Sequence, residues 1–360
     1  MRIGIDIRSL AEKNYSGIPF FTLNLLENLF KIDKENTYLL FCNSKGKAAL
    51  PEFKHPNAKV LKFNYPNKFF NLSMAFFGFP KIDKLLGGLD VFILPNWLFY
   101  SIGDKTRLVT VAHDLAFKKY PGFFSPKQRL WHRLINPKKI FKKSDRIVAI
   151  SESTKNDLIK DLGITEQKIK LIYPGITDSG NKINETTESV RKKYDLPENF
   201  ILFVGTIEPR KNLSALISAC RQLNLHVVVA GSLGYKAKSF LADKDIIYIG
   251  YVPESEKSAL YSLAKVFVYP SFYEGFGFPP LEAALCGTPV ICGCNSSLPE
   301  VAGDFAVMVD PYNVEELKNA INQVLTGNIK DHTQQIKERL LLKYNWQHAA
   351  QMFLEVIKGV

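Results

Sequence analysis

No apolar run in this 360-residue chain reaches the roughly 18–20 residues that a membrane-spanning helix needs. The longest candidates, 69–80 and 91–102, are shorter and are interrupted by Asn71, Pro95 and Asn96. The N-terminus MRIGIDIRSL lacks the layout of a secretory signal. It reads as a short buried strand, 3–7, followed by a loop. Cysteines number five, an odd count, which argues against a disulfide framework. Cys292 and Cys294 have no second pair with which to form a metal cluster. Reduced, mostly buried thiols in a cytoplasmic protein are the expectation, and the sequon at Asn184 then carries no weight. The loop after the first strand has no G-x-G-x-x-G, which argues against a nicotinamide-dependent enzyme. Acid is scarce in one window: between Lys118 and Arg146, ten basic residues accompany a single acid, Asp145.

The net charge of +12 is therefore uneven, with +13 on residues 1–180 and −1 on residues 181–360. A basic face on one half suits an anionic surface: a phospholipid leaflet, a polyanionic substrate or, last because no motif accompanies it, nucleic acid. The other reading is a solvated helix face that only aids solubility. Both stand at this point.

What the chain does have is alternation. Hydrophobic residues make up 46% of it, and the length suits two domains rather than one core. Strands are expected at 3–7, 38–42, 59–63, 91–94, 107–111, 146–150 and 170–172. A second series follows at 201–204, 226–230, 246–249, 266–269, 290–292 and 306–309. Amphipathic helices fall between them at 20–30, 125–141, 153–162, 212–223, 255–264, 280–286 and 314–325, with a last one at 346–357. Short, mostly β-branched strands alternating with helices predict an α/β chain with two doubly wound parallel sheets. The expected division is 1–177, a polar linker and lead-in at 178–198, and 199–345. Ligands of such sheets bind beyond the carboxyl ends of the strands, so the loops after strands are the places to search.

Two of those loops stand out. FVGTIEPRKNL (203–213) contains Gly205 and places Arg210 beside Lys211, with Asn212 where it can cap the next helix. Paired cations at a helix start suit a diphosphate, although the same pair also reads as an exposed basic turn. YPSFYEGFGFPPLEAALCGTPVI follows the strand at 266–269. Gly275 and Gly277 permit close backbone approach, Pro279 and Pro280 open a helix, and Gly287 with Pro289 ends it. Glu274 lies in the loop and Glu282 one turn into the helix. Main-chain N–H groups near Phe278 and Leu281 could hold sugar hydroxyls, and Glu282 could accept from a ribose diol. His113, in V-A-H-D-L after a strand, is either a hydrogen-bonded core residue or a site residue; Asp114 beside it is equally a turn cap. Ser151 reads as a helix cap. Glu300 and Asp304 default to stabilising a turn.

In that order and spacing, the chain resembles the retaining glycosyltransferases of family 4, which have the GT-B architecture of two Rossmann-like domains facing across a cleft. The resemblance rests on SGIPFFTLNLLENL (16–29), TVAHDLAF (110–117), VAISESTKNDL (148–158), KLIYPGI (170–176), FVGTIEPRKNL, IYIGYVPESEKSALYSLAKVFVYPS (247–271), the E-x7-E segment and PEVAGDFAVMVDP (299–311). It implies a donor site in which Glu274 faces hydroxyls of the transferred sugar, Glu282 takes the ribose, and Arg210 and Lys211 neutralise the leaving diphosphate. By the same resemblance Gly17 offers its N–H to the phosphates, His113 touches the transferred sugar, and Val252 meets the base through its main chain. The helix 346–360 is expected to pack back on the first domain. Where relatives carry a basic or polar residue at the helix start after the glycine loop, this chain has Pro19, Phe20 and Phe21.

The wording of TVAHDLAF and ISESTKNDL is closest to bacterial mannosyltransferases, which makes GDP-mannose the leading donor. UDP-linked sugars remain open, as does a non-catalytic binding protein of the same fold. No metal or cofactor is expected if the cation pair and helix N-termini carry the leaving-group charge. The triplet Asp243-Lys244-Asp245 precedes a strand, which is the wrong end of the sheet, and reads as a polar turn. The implied acceptor is a glycan or lipid-linked glycan bound on the first domain, with peripheral contact at the inner face of a membrane. For the aromatic stretch 69–79 the competing reading is a core helix.

Overall fold

The computed structural model describes residues 1–12, 15, 17–44, 50–177, 186–241, 243–327 and 333–360. The chain divides into two α/β units. The first comprises residues 1–119, 126–175 and 344–360, and the second residues 120–125 and 176–343.

The first unit holds seven strands: β1 (Arg2–Asp6), β2 (Thr37–Asn43), β3 (Ala58–Phe63), β4 (Val91–Leu94), β5 (Arg107–Ala112), β6 (Arg146–Ala149) and β7 (Ile169–Leu171). Their order across the sheet is β3-β2-β1-β4-β5-β6-β7, and every pairing is parallel. The second unit holds six: β8 (Ile201–Val204), β9 (Val227–Ala230), β10 (Ile246–Gly250), β11 (Val266–Tyr269), β12 (Val290–Gly293) and β13 (Val307–Val309). Their order is β10-β9-β8-β11-β12-β13, again all parallel. In both sheets the order reverses beside the first strand of the unit, which is the Rossmann arrangement. Inner strands such as VFIL (β4), ILFV (β8) and VFVY (β11) are buried along their whole length because helices cover both faces. The edge strand β3 exposes Lys59 and Lys62, charges that discourage edge-to-edge pairing.

The predicted helix 125–141 is two helices, Pro126–Ile135 and Pro137–Lys143. Pro137 has no N–H to continue the first, and Asn136 takes a left-handed conformation (φ 54°) while its side chain accepts from the Lys139 N–H. The helix Trp346–Lys358 belongs to the first unit and lies along Gly17–Ile32. The Trp346 ring meets Phe20 and Phe21 at 6.3 and 5.8 Å.

Two boundaries differ from expectation. Residues 120–125 go with the second unit because Tyr120 packs on Tyr273 and Phe123 on Phe272, at 5.7 and 5.5 Å between ring centres. The expected linker 178–198 contains a helix, Thr187–Lys193, capped by Thr186. Lys193 and Tyr194 both bond Glu256, at 2.6 and 2.7 Å, so this stretch is part of the second unit. Residues 178–185 of the linker lie outside the described residues. The aromatic stretch does form a helix, Asn67–Phe77, but only Phe70 and Met74 are buried; Phe69, Phe76, Phe77 and Phe79 are exposed, so the core reading fails for most of it.

Candidate active site

In the second unit β8 and β11 are neighbours although two strands separate them in the chain, so the loops that follow them meet. The Phe272 N–H donates to the Arg210 carbonyl at 3.0 Å and ties the two loops together. Arg210 and Lys211 lie in a 3-10 turn, Pro209–Lys211. Glu274 lies between them. Arg210 Nη1 donates to Glu274 Oε2 at 2.8 Å, and Lys211 Nζ to Oε1 at 2.7 Å. Glu274 and Lys211 are 6% and 7% exposed.

Burying a carboxylate raises its pKa, but the Arg210 and Lys211 charges outweigh the burial and hold Glu274 at about 2. Burial pulls the Lys211 ammonium down, against the attraction of Glu274. Lys211 also donates to the Tyr269 hydroxyl. The rest of Arg210 is engaged as well: Nε and Nη2 reach Glu208 Oε1 at 3.1 and 2.6 Å, and Nη1 reaches the Tyr273 carbonyl at 2.6 Å. Arg210 and Lys211 are thus balanced by Glu208 and Glu274, a tightly ordered group rather than an exposed basic turn.

The backbone of Glu274 is held by two serines. Ser296 Oγ accepts from its N–H at 2.8 Å; Ser297 Oγ donates to the Glu274 and Phe276 carbonyls at 3.0 and 2.8 Å. Gly277 then turns the chain with φ 113° and opens the helix Phe278–Leu285. Pro279 and Pro280 carry no N–H, so the backbone N–H groups of this first turn are those of Phe278 and Leu281. Glu282 lies on this helix and accepts from the Tyr261 hydroxyl at 2.8 Å; Lys257, paired with Glu254, is 3.8 Å away. Burial and the Glu282 charge push the Tyr261 phenol well up, so it remains a donor. Gly205 follows β8 and its N–H donates to the Ala230 carbonyl at 2.9 Å, while Val252 is buried after β10.

Several expectations change. Asn212 makes no cap hydrogen bond: it adopts φ 56°, and its amide donates to the Pro311 carbonyl at 2.6 Å instead. Gly17 is the first residue of the helix Gly17–Ile32. His113 is 7% exposed, its Nε2 lies 2.7 Å from the Pro95 carbonyl, and Phe21 packs edge-on against its ring at 5.0 Å. Burial lowers its pKa, and its surroundings are those of a buried, hydrogen-bonded histidine. Asp114 accepts from the Ala116 N–H at 2.8 Å, and Ser151 caps its helix through the Thr154 N–H. Asp304 pairs with Arg339. The carboxylates of Asp243 and Asp245 are both bound by Arg221, ahead of β10, which is the turn their position predicts. Gly17 and His113 belong to the first unit; Gly205, Arg210, Lys211, Val252, Glu274, Gly275, Gly277, Phe278, Pro279, Leu281 and Glu282 belong to the second.

Sequence reasoning missed Tyr269, Glu208, Ser296, Ser297 and Tyr261. Ser296 and Ser297 follow a strand, β12, and that position is the signal that could have found them. Tyr269 and Tyr261 are buried, and the partners of their hydroxyls, Lys211 and Glu282, are distant in the sequence.

Residues 16–179 match the family described as Glycosyltransferase Family 4, and residues 185–340 the family described as Glycosyl transferases group 1. The serotype-specific mannosyltransferase WbdA of Escherichia coli is 32% identical over 69% of this chain, and the alignment covers 33% of WbdA. The O-antigen chain mannosyltransferase B of Escherichia coli is 32% identical over 64% of each protein. The chain therefore spans about a third to two thirds of the length of these relatives. Among solved structures, sucrose-phosphate synthase from Thermosynechococcus elongatus superposes with a TM-score of 0.77 at 19% identity, over 99% of this chain and 98% of that one. Anabaena HepE in complex with UDP and glucose gives 0.69 at 17% identity over the whole of both chains. These likenesses show the fold, which is GT-B. With its two halves matched in succession by the two families, the chain belongs to glycosyltransferase family 4.

Proposed function

We propose that the protein transfers a hexose from a nucleoside diphosphate sugar to a glycan or lipid-linked glycan in cell-envelope polysaccharide synthesis. In this reading the anomeric configuration is retained, no metal or cofactor takes part, and the donor is GDP-mannose. The observation that carries the proposal is the buried Arg210–Glu274–Lys211 group beyond β8 and β11. The choice of mannose rests on the named mannosyltransferase relatives. HepE, whose structure holds UDP and glucose, supports a UDP-sugar as the second reading of the donor.

Breaking the anomeric bond leaves charge on a diphosphate, so stabilising that charge is the largest task of the protein. Lys211 has a third N–H beyond the two it uses, and the helix Phe278–Leu285 turns its positive end toward the same loop. Glu274 is gripped at both oxygens and ionised. That environment suits accepting from sugar hydroxyls through its remaining lone pairs and disfavours attack on carbon as a glycosidase nucleophile would. The acceptor then attacks from the leaving-group face, and the departing phosphate takes its proton. Glu282, oriented by Tyr261, holds the ribose. A thermal-shift screen of GDP-, UDP- and dTDP-sugars, followed by hydrolysis of the strongest stabiliser, tests the reading. Stabilisation and turnover of one donor support it, stabilisation without turnover favours the non-catalytic binder, and no stabilisation by any donor rejects it.

The lipid side of the proposal rests on the first unit. Helices Asn67–Phe77 and Pro126–Ile135 pack on one core cluster, the first through Phe70 and Met74 and the second through Ile135. Their outer faces expose Phe69, Phe76 and Phe77 (78%, 68% and 84%), and Leu130, Trp131 and Leu134, among exposed Lys68, Lys127, Arg129 and Arg133. Apolar side chains among cations suit an anionic lipid surface. No helix among the described residues is long and apolar enough to cross a membrane.

A further inference from the structure

Residues 120–125 part from the chain on either side of them. Helices Ala116–Lys119 and Pro126–Ile135 belong to the first unit, and the segment between them belongs to the second. Its sequence, YPGFFS, makes a 3-10 turn at Pro121–Phe123, in which the Phe123 N–H donates to the Tyr120 carbonyl at 3.0 Å. The turn stacks the Tyr120 and Phe123 rings 5.2 Å apart at 12°.

Both rings meet the loop that carries Glu274. Tyr120 packs on Tyr273, and Phe123 stacks on Phe272 at 20°. Phe272 also meets Tyr312, from the loop after β13, at 4.8 Å, and the Tyr312 and Tyr120 hydroxyls are hydrogen-bonded. Aromatic pairs at such separations attract beyond the area they bury and prefer particular orientations, so they fix a loop more closely than aliphatic contacts do.

Phe272 and Tyr273 are also the residues whose main chain binds Arg210: the Phe272 N–H donates to the Arg210 carbonyl, and the Tyr273 carbonyl accepts from Arg210 Nη1. Residues 270–277 form neither helix nor strand, so contacts along the loop set its path. Ser296 and Ser297 hold it at Glu274 and Phe276. At residues 272 and 273 the holds include Arg210 on the main chain and the rings of the 120–125 segment on the side chains. A shift at Tyr273 would move a partner of Arg210 and, one residue on, Glu274 itself. A misplacement of about 1 Å at a reacting centre can cost about 10²-fold in rate.

We propose that Tyr120 and Phe123 are positioning residues: this aromatic strap holds Phe272 and Tyr273 so that Arg210, Lys211 and Glu274 meet in the geometry that turnover needs. The part in turnover rests on the glycosyltransferase reading above; the hold on the loop does not. Because the strap acts through the loop, its loss falls on kcat and not on the donor KM.

The test compares Phe123→Ala and Tyr120→Ala with Phe123→Tyr and Tyr120→Phe, which keep the rings. Amide hydrogen exchange of the full chain is followed over 270–276, where the Phe272 and Glu274 N–H groups are hydrogen-bonded, and over β12 as a reference. In the alanine variants the loop is expected to exchange about tenfold faster with β12 unchanged, and in the ring-keeping variants to stay within about twofold of wild type. With a nucleoside diphosphate sugar that wild type hydrolyses, kcat is expected to fall about 10- to 10²-fold in the alanine variants, at a KM within about threefold, and to recover in the ring-keeping pair. If Phe123→Ala also exchanges faster in β12, Phe123→Leu, which keeps apolar bulk without the flat ring, takes its place. Unchanged loop exchange in a folded alanine variant overturns the strap. Faster loop exchange with unchanged kcat, or a change confined to KM, overturns its part in turnover. Failure of wild type to hydrolyse any nucleoside diphosphate sugar rejects the glycosyltransferase reading instead, and the exchange comparison then decides by itself whether the strap holds the loop.

Discussion

At the scale of single residues, the account turns on Glu274 holding two cations in a buried loop. Its carboxyl titrates at about 2 when folded, against 4.5 for an ordinary glutamate. A lowered pKa adds stability that is fully present above the unfolded value and is lost as pH falls through the folded one. The shift corresponds to about 3 kcal/mol. We predict that the melting temperature falls between pH 4.5 and pH 2 in wild type and falls less over that window in Glu274→Gln, which has no carboxylate to protonate. Equal slopes would mean that the triad does not couple to folding. Glu274→Ala and Glu282→Ala should also differ in kinetics. In the proposed reading Glu274 faces the sugar, so its removal is expected to lower kcat, and Glu282 faces the ribose, so its removal is expected mainly to raise the donor KM. The sequence made both glutamates visible through the glycines and prolines around them. It did not reveal that Arg210, Lys211 and Glu274 form one ionic group, because a separation of 63 to 64 residues closes only through the order β8-β11.

At the scale of elements, parallel strands were the easiest part to read. Buried on both faces, they appear as short apolar runs, and all thirteen expected strands are present within a residue or two. Helices were harder where two signals conflicted. The Asn67–Phe77 segment is apolar enough to look like core, yet a helix on the outside of a sheet can bury only one stripe, here Phe70 and Met74. The docking of the C-terminal helix is a contact that can be tested directly. A Cβ on Gly175 would lie 2.3 Å from the Trp346 backbone nitrogen, so Gly175→Ala forces backbone to move. Overpacking of that kind costs about 1–3 kcal/mol. The expected outcome is a lower melting temperature together with faster proteolysis near Tyr344; unchanged values in both would show that the helix is not held at this point.

At the scale of the whole molecule, the charge asymmetry acquires a structural setting. The basic window between Lys118 and Arg146 contains the helix Pro126–Ile135, whose Leu130, Trp131 and Leu134 are exposed beside its cations. Sedimentation with phosphatidylglycerol vesicles should carry the protein down at low salt and release much of it near 1 M salt, where the Debye length is about 3 Å. Phe69→Ser combined with Phe76→Ser should weaken binding at both salt concentrations. Failure to sediment at low salt would return the basic face to a solubility role.

The central claim is that the cations beyond β8 carry the charge of a departing diphosphate. Turnover of the preferred nucleoside diphosphate sugar by Lys211→Ala, in protein whose melting curve remains cooperative, tests it most directly. A loss of about 10²–10³ in kcat is predicted, by the scale of a lost charge-stabilising donor. Turnover within a few-fold of wild type would contradict the claim.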